Sequence, residues 1–143
     1  MKQHKFGKSS LAALKGVHPM LVAVVALALK KSPLDFKVLE GIRTKERQAE
    51  LYAQGRTKSG NIVTWTMNSR HFIDNVTGYG HAVDILPEPY DWKDLSHFDA
   101  VAMAMFQAAE ELGVTIRWGA DWDMDGNFRE KGETDSPHFE LVL

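Results

Sequence analysis

The 143-residue sequence has no cysteine, and this absence excludes both a disulfide-stapled fold and a zinc site made of thiolates. It has no internal repeat, no low-complexity tract and no linker. Hydrophobic residues make up 44% of the chain and include four Trp and seven Phe, which is enough to form a core and argues against disorder. We therefore expect one folded domain over residues 1–143.

The charge is small in total but unevenly distributed. Residues 1–60 carry 12 Lys and Arg against 4 Asp and Glu, a balance of +8, whereas residues 61–143 carry 5 against 15, a balance of −10. A positive face could meet an anionic polymer or a lipid surface, or it could simply be solvated. The basic residues have no interleaved aromatic side chains and no recognisable reading motif, so we expect no nucleic-acid partner.

The most apolar segment, residues 20–29, is too short to cross a bilayer. It lies in a charge-free stretch of 14 residues, whereas a membrane-spanning helix needs about 20 apolar residues. Ala26-Leu27-Ala28 imitates a signal-peptide cleavage site, but the 19 residues before the run make a long lead-in. Pro19 suits the first turn of a helix that ends before Pro33. We predict a buried helix and no stable membrane insertion.

Strands and helices alternate in the remainder of the chain. Strands are predicted over residues 36–42, 81–86 (ending at Pro87), 114–118 and 138–143. A second helix is predicted from Thr44 to Gly55, and a third follows a capping box of Ser96 and Asp99 and ends at Gly113. This order predicts a single α+β domain in which a small antiparallel sheet packs with helices.

Two histidines and one aspartate are candidate metal ligands: His71, Asp84 and His138. Each lies on or beside a predicted strand. Imidazole and carboxylate groups can hold a zinc ion by three ligands with one position open, an arrangement that activates water for amide hydrolysis. Taken alone, a histidine in a strand is more often a hydrogen-bonded core residue than a metal ligand.

The alternation of side chains along a strand shows which candidate ligands could lie on the same face of the sheet. Ala82 and Asp84 face one side of a strand and His81 the other, so His81 is a poor co-ligand for Asp84. On the last strand, the alternate residues His138 and Glu140 share a face. Asp135 lies three residues before His138, where it could act as a general base or, as a simpler alternative, cap a turn.

Several separated motifs of the sequence resemble those of one protein family, and they occur in the same order along the chain. Ser69-Arg70-His71, Gly80 to Asp84 (GHAVD) and Asp135 to Glu140 (DSPHFE) resemble the zinc-binding pattern of the VanY-type D-alanyl-D-alanine carboxypeptidases. That family shares its metal-site architecture with the hedgehog N-terminal domain. The segments Glu40 to Gly55 and Asp91 to Gly113 resemble two of its helices. The chain is most similar to short phage endolysins that act as L-alanyl-D-glutamate endopeptidases.

The resemblance implies a role for seven residues. It implies zinc bound by His71, Asp84 and His138, with Asp135 as the general base that later protonates the leaving amine. Arg43 matches the arginine that polarises the scissile carbonyl or holds a substrate carboxylate. Gln48 and Ser69 match polar positions around the substrate, although these two could instead cap or orient their neighbours.

The interval between the first two proposed ligands is longer than in the family pattern. His71 and Asp84 are 13 positions apart, which implies six inserted residues within residues 72–80. The turn-forming pairs Asp74-Asn75 and Thr77-Gly78 predict a hairpin loop that leaves both ligands in place. His81 is the alternative ligand if this interpretation fails.

A second metal site is predicted between the third and fourth strands. The segment from Asp121 to Glu133 matches the first seven positions of a calcium-binding loop, with Gly126 at the sharp turn. The proposed ligands are Asp121, Asp123, Asp125, Asn127 and Glu130. Gly132 replaces the usual final glutamate, so either Glu130 or Glu133 would complete the shell. Calcium there is expected to order the neighbouring segment that carries the proposed base.

These expectations combine into a zinc-dependent peptidoglycan endopeptidase with a regulatory calcium loop. The resemblance implies a phage endolysin that is monomeric, is made in the host cytoplasm and reaches the cell wall at lysis through a holin-dependent lesion. One alternative is a D-alanyl-D-alanine carboxypeptidase, which would remove a terminal D-alanine. Another is a non-catalytic metal-binding module of the same fold, although such a module has no need of a base beside the metal.

Overall fold

The computed structural model describes residues 6–42, 49–50, 52–54, 56, 71–74, 76–88, 95–121, 123–124, 126, 128–129 and 135–142. In chain order, the elements named in these residues are α1 (Lys8–Leu14), α2 (Pro19–Lys31), β1 (Asp35–Glu40), β2 (Ala82–Glu88), α3 (Leu95–Leu112), β3 (Thr115–Trp118) and β4 (His138–Val142). Residues 49, 50, 52 and 53 are also helical, within the helix predicted over 44–55.

The four predicted strands form one sheet in the order β1-β2-β4-β3, and all neighbours in it are antiparallel. The α+β prediction is therefore confirmed. β2 continues through Pro87, where the sequence predicted its end, because Pro87 pairs with Phe36 on the edge strand β1. The two central strands, β2 and β4, place Asp84 directly opposite His138.

The hydrophobic core lies between one face of the sheet and the helices α2 and α3, which pack against each other. α2 begins at Pro19, and the Nδ1 atom of His18 accepts a hydrogen bond from the Met20 backbone N–H at 3.1 Å. One side of α2 is buried, which confirms the prediction of a buried helix; the buried side chains are Leu21, Val24, Val25, Ala28 and Leu29. Among the described residues, no helix is both long and apolar enough to cross a membrane.

Strand alternation divides the central strands into an apolar face and a polar face. Val83 and Ile85 of β2, and Phe139 of β4, belong to the hydrophobic core. Because successive side chains on a strand point to opposite faces, Asp84 and His138 lie on the side of the sheet away from α2 and α3. Two of the candidate metal ligands, Asp84 and His138, therefore share a face that the core does not occupy.

The short helix α1 was not predicted from the sequence, and it covers the edge strand β1. The Ser10 side chain accepts a hydrogen bond at 3.0 Å from the Val38 backbone N–H. Gly41 lies so close to α1 that an added Cβ atom would overlap the Ala13 carbonyl oxygen. The prediction of a capping box was wrong in position, because α3 begins at Leu95 and Ser96 lies inside its first turn.

Candidate metal centre

The structure brings together the three candidate ligands His71, Asp84 and His138. One potential ligand atom from each lies within 4.8 Å of the others. Asp84 Oδ1 is 3.4 Å from His71 Nε2 and 3.5 Å from His138 Nδ1. The two imidazole rings meet edge to face, with their centroids 5.1 Å apart. This group could bind a metal ion.

His71 is held through its backbone-facing nitrogen. Its Nδ1 atom is 2.6 Å from the Gly41 carbonyl oxygen, at the end of β1. A carbonyl oxygen only accepts hydrogen bonds, so Nδ1 is the donor in this bond. Nε2, the other ring nitrogen, therefore faces Asp84 and is the atom that a metal would contact.

His138 is held from its other side by a carboxylate. Its Nε2 atom is 2.9 Å from Glu140 Oε1, on the same face of β4. An ionised carboxylate only accepts hydrogen bonds, so Nε2 donates and Nδ1 faces Asp84. The two histidines thus use opposite ring nitrogens for the cluster, and a hydrogen bond fixes the orientation of each ring.

The electrostatics of the cluster favour a cation between these groups. Burial alone would raise the pKa of Asp84, but hydrogen bonds and charge from His138 and His71 lower it far below its usual value. Burial alone would lower the pKa of His138, but Asp84 and the neighbouring carboxylates offset this and raise the pKa to about 9. Without a metal, a proton on His138 therefore neutralises charge in the cluster.

The inserted residues form the expected hairpin before β2. The Asp74 carboxylate accepts hydrogen bonds from the backbone N–H groups of Val76 and Thr77, at 2.8 and 3.1 Å. Asp74 N–H also bonds to the Tyr79 carbonyl at 2.8 Å, and Gly78 adopts a φ of +76° at the turn. The insertion therefore closes on itself and leaves His71 beside Asp84.

His81, the alternative ligand, belongs to a different group of side chains. Its Nε2 atom is 2.7 Å from Thr77 Oγ1, and its ring packs against that of His18 with centroids 5.5 Å apart. His18 precedes α2, so His81 faces the helical side of the sheet, as strand alternation predicted. Its Nε2 is thereby directed at the hairpin and away from Asp84.

Asp135, the candidate base, lies at the open side of the cluster. Its Oδ2 atom is 3.9 Å from His138 Nδ1, and its side chain is 54% exposed, compared with 8% for His138. Its backbone is tied to the turn after β3: Asp135 N–H bonds to the Gly119 carbonyl, and Gly119 N–H bonds to the His138 carbonyl. A Cβ atom at Gly119 would overlap the Asp135 carbonyl, so this close approach requires glycine.

The described part of the acidic loop after β3 has the turn expected of a cation-binding loop. Asp121 is buried and its Oδ2 atom accepts a hydrogen bond at 3.0 Å from the Gly126 N–H. Gly126 has a φ of +82°, as the sharp turn at this position requires. Asp123 is exposed. Arg129 links the loop to neighbouring elements through Asp99, at 2.8 Å, and Ser136, at 3.2 Å.

The remaining predicted site residues lie outside the described residues. These are Arg43, Gln48 and Ser69 of the predicted substrate site, and Asp125, Asn127, Glu130 and Glu133 of the predicted calcium loop.

Comparison with known proteins identifies the family of this chain. A family model described as "Phage L-alanyl-D-glutamate peptidase" matches residues 2–142. The chain belongs to this peptidase family. It is 38% identical to the L-alanyl-D-glutamate peptidase of Escherichia phage T5, over 96% of this chain and 98% of the relative.

Two further relatives come from bacteria. The peptidase is 31% identical to the peptidoglycan L-alanyl-D-glutamate endopeptidase CwlK of Bacillus subtilis (strain 168), over 88% of this chain and 74% of the relative. It also matches the crystal structure of the Serratia marcescens L-Ala D-Glu endopeptidase ChiX, with a TM-score of 0.73 and 33% identity, covering 98% of this chain and 92% of that one. The predicted resemblance is thereby confirmed at the level of the family.

Sequence reasoning missed the groups that hold the cluster of this peptidase in place. The Gly41 carbonyl could not be foreseen, because a backbone acceptor has no signature in side-chain chemistry. Gly119 was not singled out, and only its place after a strand could have drawn notice. Glu140 was seen to share a face with His138, but its hydrogen bond to that ring was not predicted.

Proposed function

We propose that this peptidase is a zinc enzyme that hydrolyses the amide between L-alanine and D-glutamate in peptidoglycan stem peptides. The observation that carries the proposal is the convergence of His71, Asp84 and His138 in a member of this family. Each histidine has its other ring nitrogen hydrogen-bonded, so that the nitrogen facing the cluster is the one available to a metal.

The donor set fits zinc better than it fits the other common divalent ions. Two imidazoles and one carboxylate are ligands that zinc takes in catalytic sites, with the remaining position left for water or substrate. Calcium and magnesium prefer oxygen-only sites. The ring held by a backbone carbonyl and the ring held by a carboxylate are both typical of the surroundings of zinc-binding histidines.

The chain's own residues supply proton transfer and positioning. A zinc ion held by the three ligands would polarise the scissile carbonyl and make water a stronger nucleophile. Asp135 is exposed at the edge of the cluster, where it can take a proton from the attacking water and deliver it to the departing amine. From the family pattern, Arg43 would hold the scissile carbonyl or a substrate carboxylate, with Gln48 and Ser69 beside the substrate.

The names of the relatives favour the L-alanyl-D-glutamate bond over the terminal D-alanine. The phage T5 protein, CwlK and ChiX are all named for cleavage at L-alanine and D-glutamate. The matches to these three relatives extend over 88–98% of this chain. This supports the endopeptidase over the carboxypeptidase, and a phage endolysin as the biological setting.

The proposed reaction is tested by incubating the purified chain with purified peptidoglycan, with and without added zinc, and identifying the products by mass spectrometry. We expect new amino termini on D-glutamate that depend on zinc. Release of free D-alanine alone would identify a carboxypeptidase instead. His71→Ala should lose both zinc and activity, whereas His81→Ala, which alters the histidine just before β2 that faces the opposite side of the sheet, should keep both.

A calcium-binding role for the loop from Asp121 to Glu133 is a second proposal. It is supported by the alternating acidic residues of the sequence and by the bond from the Gly126 N–H to the Asp121 carboxylate. The proposed ligands remain Asp121, Asp123, Asp125, Asn127 and Glu130, with Glu133 as the alternative to Glu130. Full activity in a chelator that removes calcium but leaves zinc bound would contradict a regulatory role.

The setting of an endolysin carries two further expectations. We propose that the chain acts as a monomer, which size-exclusion chromatography with light scattering would measure directly. We also propose that it reaches the wall through a holin-dependent lesion. Expression in a host without a holin should then leave the culture intact until the inner membrane is permeabilised.

A further inference from the structure

Glu140 is a buried carboxylate that the proposed reaction does not use. Only 4% of its surface is exposed, although ionised side chains are rarely buried unless they are paired and hydrogen-bonded. Its two carboxylate oxygens meet different partners. Oε1 is 2.9 Å from His138 Nε2, and Oε2 is 3.5 Å from Arg117 Nη1.

The sheet register brings these three side chains into one row. Arg117 of β3 lies directly opposite Glu140 of β4, and His138 is two residues away on the same face of β4. The partly exposed Arg117 guanidinium lies beside the carboxylate oxygen that does not meet His138, so a positive charge faces the buried Glu140 side chain. An ionised Glu140 can only accept from His138, so His138 Nε2 must carry a proton.

The two histidines of the cluster are therefore held by acceptors of different kinds. His71 bonds to a neutral backbone carbonyl, whereas His138 bonds to a charged carboxylate. A charged acceptor makes a stronger hydrogen bond and increases the electron density on the opposite ring nitrogen. The asymmetry makes His138 the stronger donor to a cation in the cluster.

We propose that Glu140, braced by Arg117, is a positioning residue that fixes His138 as an Nδ1 ligand and strengthens its bond to the metal. This inference rests on the proposed zinc site and adds a function for a residue that touches neither the metal nor the substrate. The alternative is that Glu140 and Arg117 form only a structural ion pair between β3 and β4.

Metal affinity distinguishes these alternatives without an activity assay. Glu140→Gln preserves shape and an acceptor oxygen but removes the charge, and we expect zinc affinity, measured by chelator competition, to fall about tenfold or more. Glu88→Gln removes the exposed cross-strand pair with Lys37 on β1 and β2, and it should leave zinc affinity unchanged. Arg117→Gln keeps the bond between Glu140 and His138, so its effect should be smaller than that of Glu140→Gln.

Nitrogen-15 NMR of the zinc-loaded, unsubstituted chain provides a test that needs no variant. We expect zinc on Nδ1 of His138 and on Nε2 of His71. Zinc on Nε2 of His138, or equal zinc affinity for Glu140→Gln and the unsubstituted chain, would overturn the positioning role while leaving the zinc site standing. An unsubstituted chain that binds no zinc would instead overturn the proposed site and this inference together.

Discussion

Replacing Asp135 with asparagine tests the division between the proposed base and the proposed ligands. The Asp135 side chain is 54% exposed, and its Oδ2 atom is 3.9 Å from His138 Nδ1, which is beyond hydrogen-bonding distance. The turn is held by the backbone bonds of Asp135 to Gly119 and His138, which asparagine retains. We therefore expect the free energy of unfolding to change by no more than about 0.5 kcal/mol.

The effect of Asp135→Asn on catalysis should be far larger. Loss of a general base typically lowers the rate by about 10²–10⁴-fold, which corresponds to roughly 3–5 kcal/mol in the activation barrier. The rate of peptidoglycan solubilisation and the zinc content per chain, measured on the same preparation, check this expectation. Loss of zinc from the variant would refute the assignment of Asp135 as a base that does not hold the metal. Activity within a few-fold of the unsubstituted chain would refute the base itself.

Three other perturbations have expected outcomes. Gly119→Ala forces a Cβ atom to within 2.9 Å of the Cβ of the proposed base. The free energy of unfolding in urea should therefore fall by about 1–3 kcal/mol, and activity should also fall. Gly7→Ala is the control, because a Cβ atom there meets open space, and it should keep full activity. Because metal-free His138 has a pKa of about 9, zinc binding near pH 7 should release about one proton and tighten as pH rises. Calorimetry in buffers of different ionisation enthalpy measures that proton, and a value of zero would contradict the pKa. Met105→Ala empties a fully buried position and should cost about 2–5 kcal/mol in thermal or urea unfolding. Met103→Ala on the exposed side of the same helix should cost about 0.5 kcal/mol or less, and equal losses would contradict the packing of α3.

The strands were predictable because their patterns are local. The alternation around Asp84 assigned His81 to the opposite face from sequence alone, and the contacts of His81 with Thr77 and His18 agree with it. The hairpin before β2 was likewise predictable, since Asp74 and Gly78 are residues whose own chemistry forms turns. The strand faces follow from a repeat of two residues, and the hairpin follows from residues only a few positions apart.

The helix α1 could not be predicted in the same way. It has seven residues, and an isolated helix of that length is unstable in water. Its stability comes from contacts with β1, including the bond from the Val38 N–H to Ser10, across 28 positions of sequence. Sequence patterns single out neither partner, because serine is common and every residue except proline has a backbone N–H. The same reasoning explains why the acceptor at Gly41 was missed.

The metal cluster and the hydrophobic core are two consequences of one strand register. Asp84 and His138 are opposite residues on β2 and β4, so the pairing of these strands fixes their separation. That pairing also aligns Val83 with Phe139, both of which are buried on the helical side of the sheet. A slip of one residue would bury the carboxylate in the core and expose the apolar side chains, which makes the register costly to change. Packing of the apolar face therefore holds Asp84 and His138 in position on the other face.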